Sequence, residues 1–414
     1  MKTSKWTRLT AVAILWLSTS ANGADTIKIA YIGALSGTTA LLGEEILKEF
    51  RASADMVNER GGISTGQQLE VLPFDNNGNV QDALIAFKHV VDQNISFVTI
   101  GRSNFALAVG DALQKHNERN PEHRMLLFVY EAGDPVLTES KCNFWTFRFS
   151  AHTDMNVNVL TDYMAKQNGI KKVYLINQDF AFGQAVSRAA KEMLSAKRPD
   201  IQIVGDDFVP LLKVKDFAPY IAKIRAAGTD SVLTSNWGND LSLLVKAGNE
   251  TALNVNYFTV LGGIPGTWAN VSGAGGGRVT SLDPWHINAA DPTWQARLLS
   301  YKSKYKSTSN MDYLPPMRIA EMLAAAVSQV GAADPVKVAH ALEGMRFSGP
   351  SGESWMRTED HQMIGPIYVL RLVKAGPSGV KYDVDGTGYG WKTDAIIEAK
   401  NTVPPVKCQM EGPR

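Results

Sequence analysis

The sequence predicts an α/β protein of two lobes, each built on a parallel sheet covered by helices. Three observations lead there. The chain has 414 residues, more than the ~300 that one hydrophobic core usually serves. Apolar residues make up 44% and charges nearly cancel, with 42 Lys+Arg against 41 Asp+Glu, so a disordered chain is excluded. Strand-like runs alternate with helical repeats along most of its length, which is the signature of parallel sheets with helices on both faces.

The elements follow in order. Residues 26–33 alternate and are β-branched, a strand. Leu42, Ile46, Phe50, Ala54 and Val57 recur at helical spacing until Gly61 and Gly62 stop them. Residues 69–74 form a second strand, 75–79 a polar loop and 80–92 a helix. Residues 97–101 are a strand, Arg102, Ser103 and Asn104 its exit loop, and 105–116 the next helix. Residues 125–129 run into Tyr130, Glu131, Ala132, Gly133, Asp134 and Pro135. The texture changes near 148–153. Alternation then resumes with strand 172–176, loop 177–182 and helix 183–194, then strand 231–234, loop 235–239 and helix 240–247. Strand 257–260 leads into Leu261, Gly262 and Gly263. Residues 273–277, glycine at all but Ala274, form a flexible stretch near a second lobe crossing. The helix carrying Trp294, Leu298, Tyr301 and Tyr305 has an apolar seam; Lys302, Lys304 and Lys306 fan around it as a solvated surface.

The first residues predict export. Lys2, Lys5 and Arg8 precede an apolar stretch at 9–17, followed by small and polar residues to Ala24. That stretch is about half of the ~20 apolar residues needed to span a bilayer, so residues 1–23 read as a signal peptide, with cleavage after Gly23 or Ala24. Loss of those three basic residues turns the formal charge from +1 to −2. Neither value offers the concentrated basic surface that nucleic acid demands, and no nucleic-acid partner is expected. In an oxidising compartment Cys142 and Cys408 either pair or stand as two unrelated thiols, and a pair would tie the C-terminal tail to the end of the first lobe. Two cysteines at this separation without a His cluster make no zinc site.

Catalytic and nucleotide motifs are missing or broken. Residues 386–393 imitate a phosphate loop, but Trp391 stands where a glycine must approach the phosphate. Asp383, Asp385, Thr387, Gly388 and Asp394 imitate a calcium loop, yet Gly390 replaces its apolar residue and no bidentate Glu closes it; the alternative is a turn rich in Asp and Gly. No cofactor or metal is expected, and no positive sign of catalysis is present.

Tyr31, Ile32, Gly33, Ala34, Leu35, Ser36 and Gly37, followed by Gly43, carry a family likeness. It continues through residues 54–58, Arg60 to Ile63, Phe74 and Asp75, Asp179 to Gly183, Val209 and Lys215 to Phe217 ahead of a helix at 219–227. Over about residues 26–375 the chain resembles the periplasmic solute-binding proteins of branched-chain amino-acid and amide ABC importers, the leucine-binding-protein-like group. The resemblance implies a type I periplasmic-binding fold, two Rossmann-like lobes joined by three crossing strands. The first lobe would hold 25–149 and 281–365, the second 150–280 and 366–400, with a tail at 401–414. It further implies a monomer working in the periplasm without catalysis, and a membrane permease pair and ATPase pair as partners. The same fold serves ligand sensors, which usually carry a membrane or output segment that is not expected after Cys408.

In such proteins the ligand lies between the lobes. The resemblance implies that loops carrying Ser103 and Asn104, and Ala132 and Gly133, hold a ligand carboxylate through hydroxyl and backbone N–H groups. Phe182 and Trp237 would cover the ligand from the second lobe. Glu131 stands where a small residue is expected, Leu42 replaces a frequent Tyr, and Gly262 or Gly263 occupies the place of an acid that often holds the amino group. These departures point away from a simple leucine or valine ligand. Read by their chemistry alone, Tyr130, Phe180, Phe182 and Trp237 supply an aromatic wall, able with Glu131 to hold a cation, or pack partly in the core. Glu131 alternatively caps a turn or pairs with Arg102. The ligand is then a small amino acid, carboxylate or amide, or else an aromatic acid or a cationic amine.

Overall fold

The computed structural model describes residues 26–268, 277–377 and 379–413. Residues 1–23, read above as a signal peptide, and most of the glycine-rich stretch lie outside them. The first sheet is wholly parallel: β1 (Ile27–Gly33), β2 (Leu69–Asp75), β3 (Phe97–Gly101), β4 (Leu126–Glu131) and β5 (Thr146–Arg148), in the order β2-β1-β3-β4-β5. Ile29 lies opposite Val71 on one side and Phe97 on the other. Strands so buried are continuous apolar runs because helices cover both faces. The helices here are α1 (Ala40–Asn58), α2 (Val80–Asp92) and α3 (Ser103–Arg119).

The chain then crosses, and α4 (Thr153–Ala165) opens the second lobe. Its sheet begins with β6 (Lys172–Gln178), β7 (Gln202–Val209), β8 (Ser231–Thr234), β9 (Asn256–Thr259) and β10 (Val279–Asp283), interleaved with α5 (Ala181–Lys197), α6 (Ala218–Ala226) and α7 (Gly238–Glu250). A second crossing leads to α8 (Pro292–Tyr305), α9 (Leu314–Val330) and α10 (Pro335–Leu342), where α9 packs on α1. A small sheet of β11 (Arg346–Gly349), β12 (Gly352–Met356) and β13 (Met363–Ile364) precedes the third crossing, after which β14 (Ile367–Lys374) and β15 (Tyr389–Ile397) rejoin the second sheet.

One expectation is corrected. The second sheet, ordered β15-β14-β10-β9-β8-β6-β7, is mixed, because β14 runs antiparallel to β10 and to β15. The returning chain enters this edge as a hairpin, with no helix among the described residues between its strands to reverse it. β10 keeps its pairing with β14 through Asp283.

The region read as a broken calcium or phosphate loop is the turn before β15. Asp383 accepts the Gly388 N–H at 2.9 Å, and Asp385 accepts those of Gly266 and Trp268 at 3.1 and 2.9 Å. Lys304 pairs with Asp55 at 2.7 Å and Lys302 donates to Asn310 at 3.0 Å, so these lysines brace α8. Cys142 and Cys408 are joined, with Cα atoms 5.8 Å apart. No helix among the described residues is long and apolar enough to cross a membrane.

Candidate functional site

A cavity opens where the carboxyl ends of the strands of both sheets face each other, the place where open α/β sheets bind ligands. From the first lobe come Arg102, Ser103, Glu131, Ala132 and Gly133, from the second Phe180, Phe182, Trp237 and Leu261. The crossings add Ser150, Asp283 and Ile367, and α9 adds Arg318 and its N-cap residue Tyr313. Its walls are mainly apolar with a few polar groups, as small-molecule clefts are.

Arg102 is the sharpest feature. It follows β3 with φ 61°, ψ 136°, a conformation unfavourable for a side chain with a Cβ and typical of functional sites. Its backbone N–H donates to the Glu131 carbonyl and its own carbonyl accepts the Ala106 N–H at 2.9 Å, so two bonds hold the strained residue. The guanidinium lies 5.1 Å from the Trp237 ring centre and 5.5 Å from that of Phe105. Arg102 therefore reaches across the cleft to a side chain of the other lobe. Burial lowers its pKa, opposed by the charge of Glu131. Burial raises that of Glu131, opposed by Arg102 and by the Tyr313 hydroxyl, 3.5 Å from Oε2.

The loop after β4 is built from below. Arg148, wholly buried at the end of β5, donates to the carbonyls of Ala132 at 3.0 Å and Asp134 at 2.6 Å, and its Nε to Gln362 at 2.8 Å. The Gly133 carbonyl accepts the Thr153 N–H and hydroxyl at 2.8 and 2.6 Å. Ser103 Oγ accepts the Asp134 N–H at 3.0 Å. The loop is thus fixed from three sides before any solute arrives. Phe182 presses on it from the second lobe so closely that a Cβ on Gly133 would lie 2.2 Å from the ring.

Three helices, α3, α5 and α7, start at this cleft, each directly after a strand exit. Their free N–H groups and positive dipole ends favour an anion. Gly238, at φ 54°, makes the turn that leaves Trp237 extended ahead of α7. Arg318 is buried on α9, and its Nη2 donates to Ser354 Oγ at 2.9 Å, while its Nε has no partner. Burial alone pushes its pKa down to about 9.

A family model described as periplasmic binding protein matches residues 26–377. The chain belongs to the periplasmic binding protein family. It is similar to Leu/Ile/Val-binding protein homolog 4 of Brucella abortus, 29% identical over 97% of each chain. Among solved structures it resembles the closed conformation of the leucine-, isoleucine-, valine-, threonine- and alanine-binding protein of Brucella ovis, with TM-score 0.80 and 27% identity over 94% of this chain and 100% of that one. A solute-binding protein of an ABC transporter from Rhodopseudomonas palustris BisB5, in complex with 3,4-dihydroxybenzoic acid, shares the fold at TM-score 0.76 and 19% identity, over 90% and 98% of the two chains.

Of the residues expected in the site of this periplasmic binding protein, Ser103, Glu131, Ala132, Gly133, Phe180, Phe182 and Trp237 line the cavity. Three lie elsewhere. Asn104 is exposed on the first turn of α3. Tyr130 belongs to β4 and packs in the core, its ring 5.9 Å from Tyr31 and 5.3 Å from Phe50, because odd and even positions of a strand face opposite ways. Gly262 is buried, with its N–H on Ser281 Oγ at 2.8 Å and its carbonyl accepting Trp268 Nε1 at 2.7 Å. Arg102 was visible in the sequence only as part of an exit loop and as an alternative partner of Glu131. Asp283, Tyr313 and Arg318 had no local signal, since they reach the cleft through the second crossing and α9. No group of three or more His, Cys, Asp or Glu side chains among the described residues is placed to hold a metal ion.

Proposed function

We propose that this periplasmic binding protein captures a small amino acid or related carboxylate or amide between its lobes, by hinged closure, and passes it unchanged to a membrane permease. The observation that carries the reading is the contact across the cleft: Trp237 of one lobe over Arg102 of the other at 5.1 Å, enclosing a cavity lined by both. A solute touching both lobes binds only the shut form and so shifts the population toward it. Two arginines and three helix N-termini favour a carboxylate, and the names of the Brucella relatives, which refer to leucine, isoleucine and valine, agree with an amino acid. The Rhodopseudomonas neighbour's dihydroxybenzoic acid keeps aromatic acids as the second reading, favoured here by the Phe180, Phe182 and Trp237 rings. Work in the periplasm, and a permease with its ATPase as partners, follow from family membership.

Calorimetry against branched-chain amino acids, amides and aromatic carboxylates tests this. Trp237→Ala should weaken the best solute by about 1–3 kcal/mol, the usual cost of deleting a buried aromatic contact. Affinity unchanged in that variant, or chemical turnover of the solute, would overturn the reading.

A further inference from the structure

Behind the cleft lies a second, smaller chamber, which shares Asp283 and Tyr313 with it. Its walls include Trp268, Trp285 and Trp391, and its polar groups include His286, Asp312 and Asp385. Two of the three acids here are occupied. Asp312 accepts the Ile287 N–H at 2.8 Å, and Asp385 accepts two N–H groups. The Asp283 side chain has no hydrogen bond or ion pair among the described residues. The charges acting on it are those of Asp312 and Glu131, both of its own sign.

Burial first, and then the like charges of Asp312 and Glu131, raise the Asp283 pKa, and no opposite charge among the described residues acts on it. Arg102 faces Glu131, Lys302 acts on Asp312 and Asp385 from the far side, and His286 is held neutral by burial. Two buried ring nitrogens, Trp285 Nε1 and His286 Nδ1, have no partner although both residues line the chamber. The Asp283 carboxyl and the neutral His286 ring nitrogen can accept from an ammonium group, and the tryptophan faces of the chamber attract its charge, whereas Trp285 Nε1 can only donate.

We propose that the solute carries a protonated amine remote from its carboxylate, and that Asp283 receives the amine at the passage from cleft to chamber. This deepens the solute-capture reading and rests on it. Asp283 is a specificity-determining residue, and the carboxylate end stays toward Arg102 and the helix N-termini. A chain of several methylenes spans the apolar walls between the two.

The test is calorimetry of the full mature chain with 5-aminovalerate and valerate, which differ only in the amine. Wild type should bind 5-aminovalerate at least about tenfold more tightly, as a charged hydrogen-bonded pair predicts, and Asp283→Asn should erase the difference. Equal binding of the two probes by wild type, binding of neither, or a preference that survives in Asp283→Asn overturns the proposal. Thermal unfolding of the ligand-free variant establishes that it folds. Loss of valerate binding in Trp237→Ala with no preference for the amine would leave the cleft reading standing while removing this one. Binding of both probes that ignores Trp237→Ala would remove the cleft reading itself.

Discussion

Gly133 shows how a missing side chain governs a motion. Its φ is ordinary, so the residue is required for space alone: only hydrogen fits beneath the Phe182 ring. Gly133→Ala should leave the unfolding temperature of the ligand-free protein nearly unchanged, because the open form relieves the clash, and should weaken every solute that demands closure. Calorimetry beside thermal unfolding separates the two effects; a variant that binds as wild type does would show that the lobes need not meet there. His286 is a second single-residue case. Burial pushes its pKa down to about 4 from 6.5, so the unfolded chain takes up this proton first as pH falls. Its contribution to stability is complete above pH 6.5 and is lost toward pH 4, at most about 3 kcal/mol. Asp312, raised by burial to about 6, acts oppositely and regains stability over the overlapping interval. Comparing unfolding temperatures at pH 7 and pH 4.5 isolates the imidazole: His286→Gln should lose less on acidification than wild type does.

At the scale of elements, the repeated strand, loop and helix units were legible because buried parallel strands and amphipathic helices leave different periods in the sequence. The boundaries moved where tertiary contacts decide. Ser103 read as a loop residue, yet it opens α3, since the strained Arg102 turns the chain within one residue. Tyr130 read as lining the cleft because it adjoins Glu131, but β4 continues through both and turns one of them into the core. The direction of β14 and β15 was hidden for another reason: β14 is as continuously buried as a parallel strand, and β15 is an edge strand of mixed polarity with Lys392 and Ile396 exposed, so neither pattern marks an antiparallel pair. Asp283 escaped notice altogether. The sequence offered glycines where an acid was expected, and Gly263 in fact leaves room for the Asp283 carboxylate, which would lie 1.5 Å from a Cβ there.

On the scale of the whole molecule, the two sheets and their crossings place most cleft residues at a strand exit or a crossing, and α9 with its N-cap adds Tyr313 and Arg318, so fold and site are one arrangement. The Cys142–Cys408 bond closes a separation of 266 residues. Replacing both cysteines by serine should lower stability by about 2–5 kcal/mol, read from denaturant unfolding; an unchanged midpoint would mean that the tail's other contacts suffice. Those contacts include Arg357 Nη1 on the Pro404 carbonyl at 2.6 Å, Lys407 on Glu139 at 2.9 Å and Thr402 Oγ1 on the Gly365 carbonyl at 2.9 Å.

The tail leaves β15 on one jaw and is stitched to the other, so the jaws share a covalent leash outside the three hinge segments. In the hinged closure proposed above, how wide they gape would be governed by tail length as well as hinge stiffness. A reducing medium slackens that leash, and the resting molecule in solution scattering should become more extended without any change in the shut form.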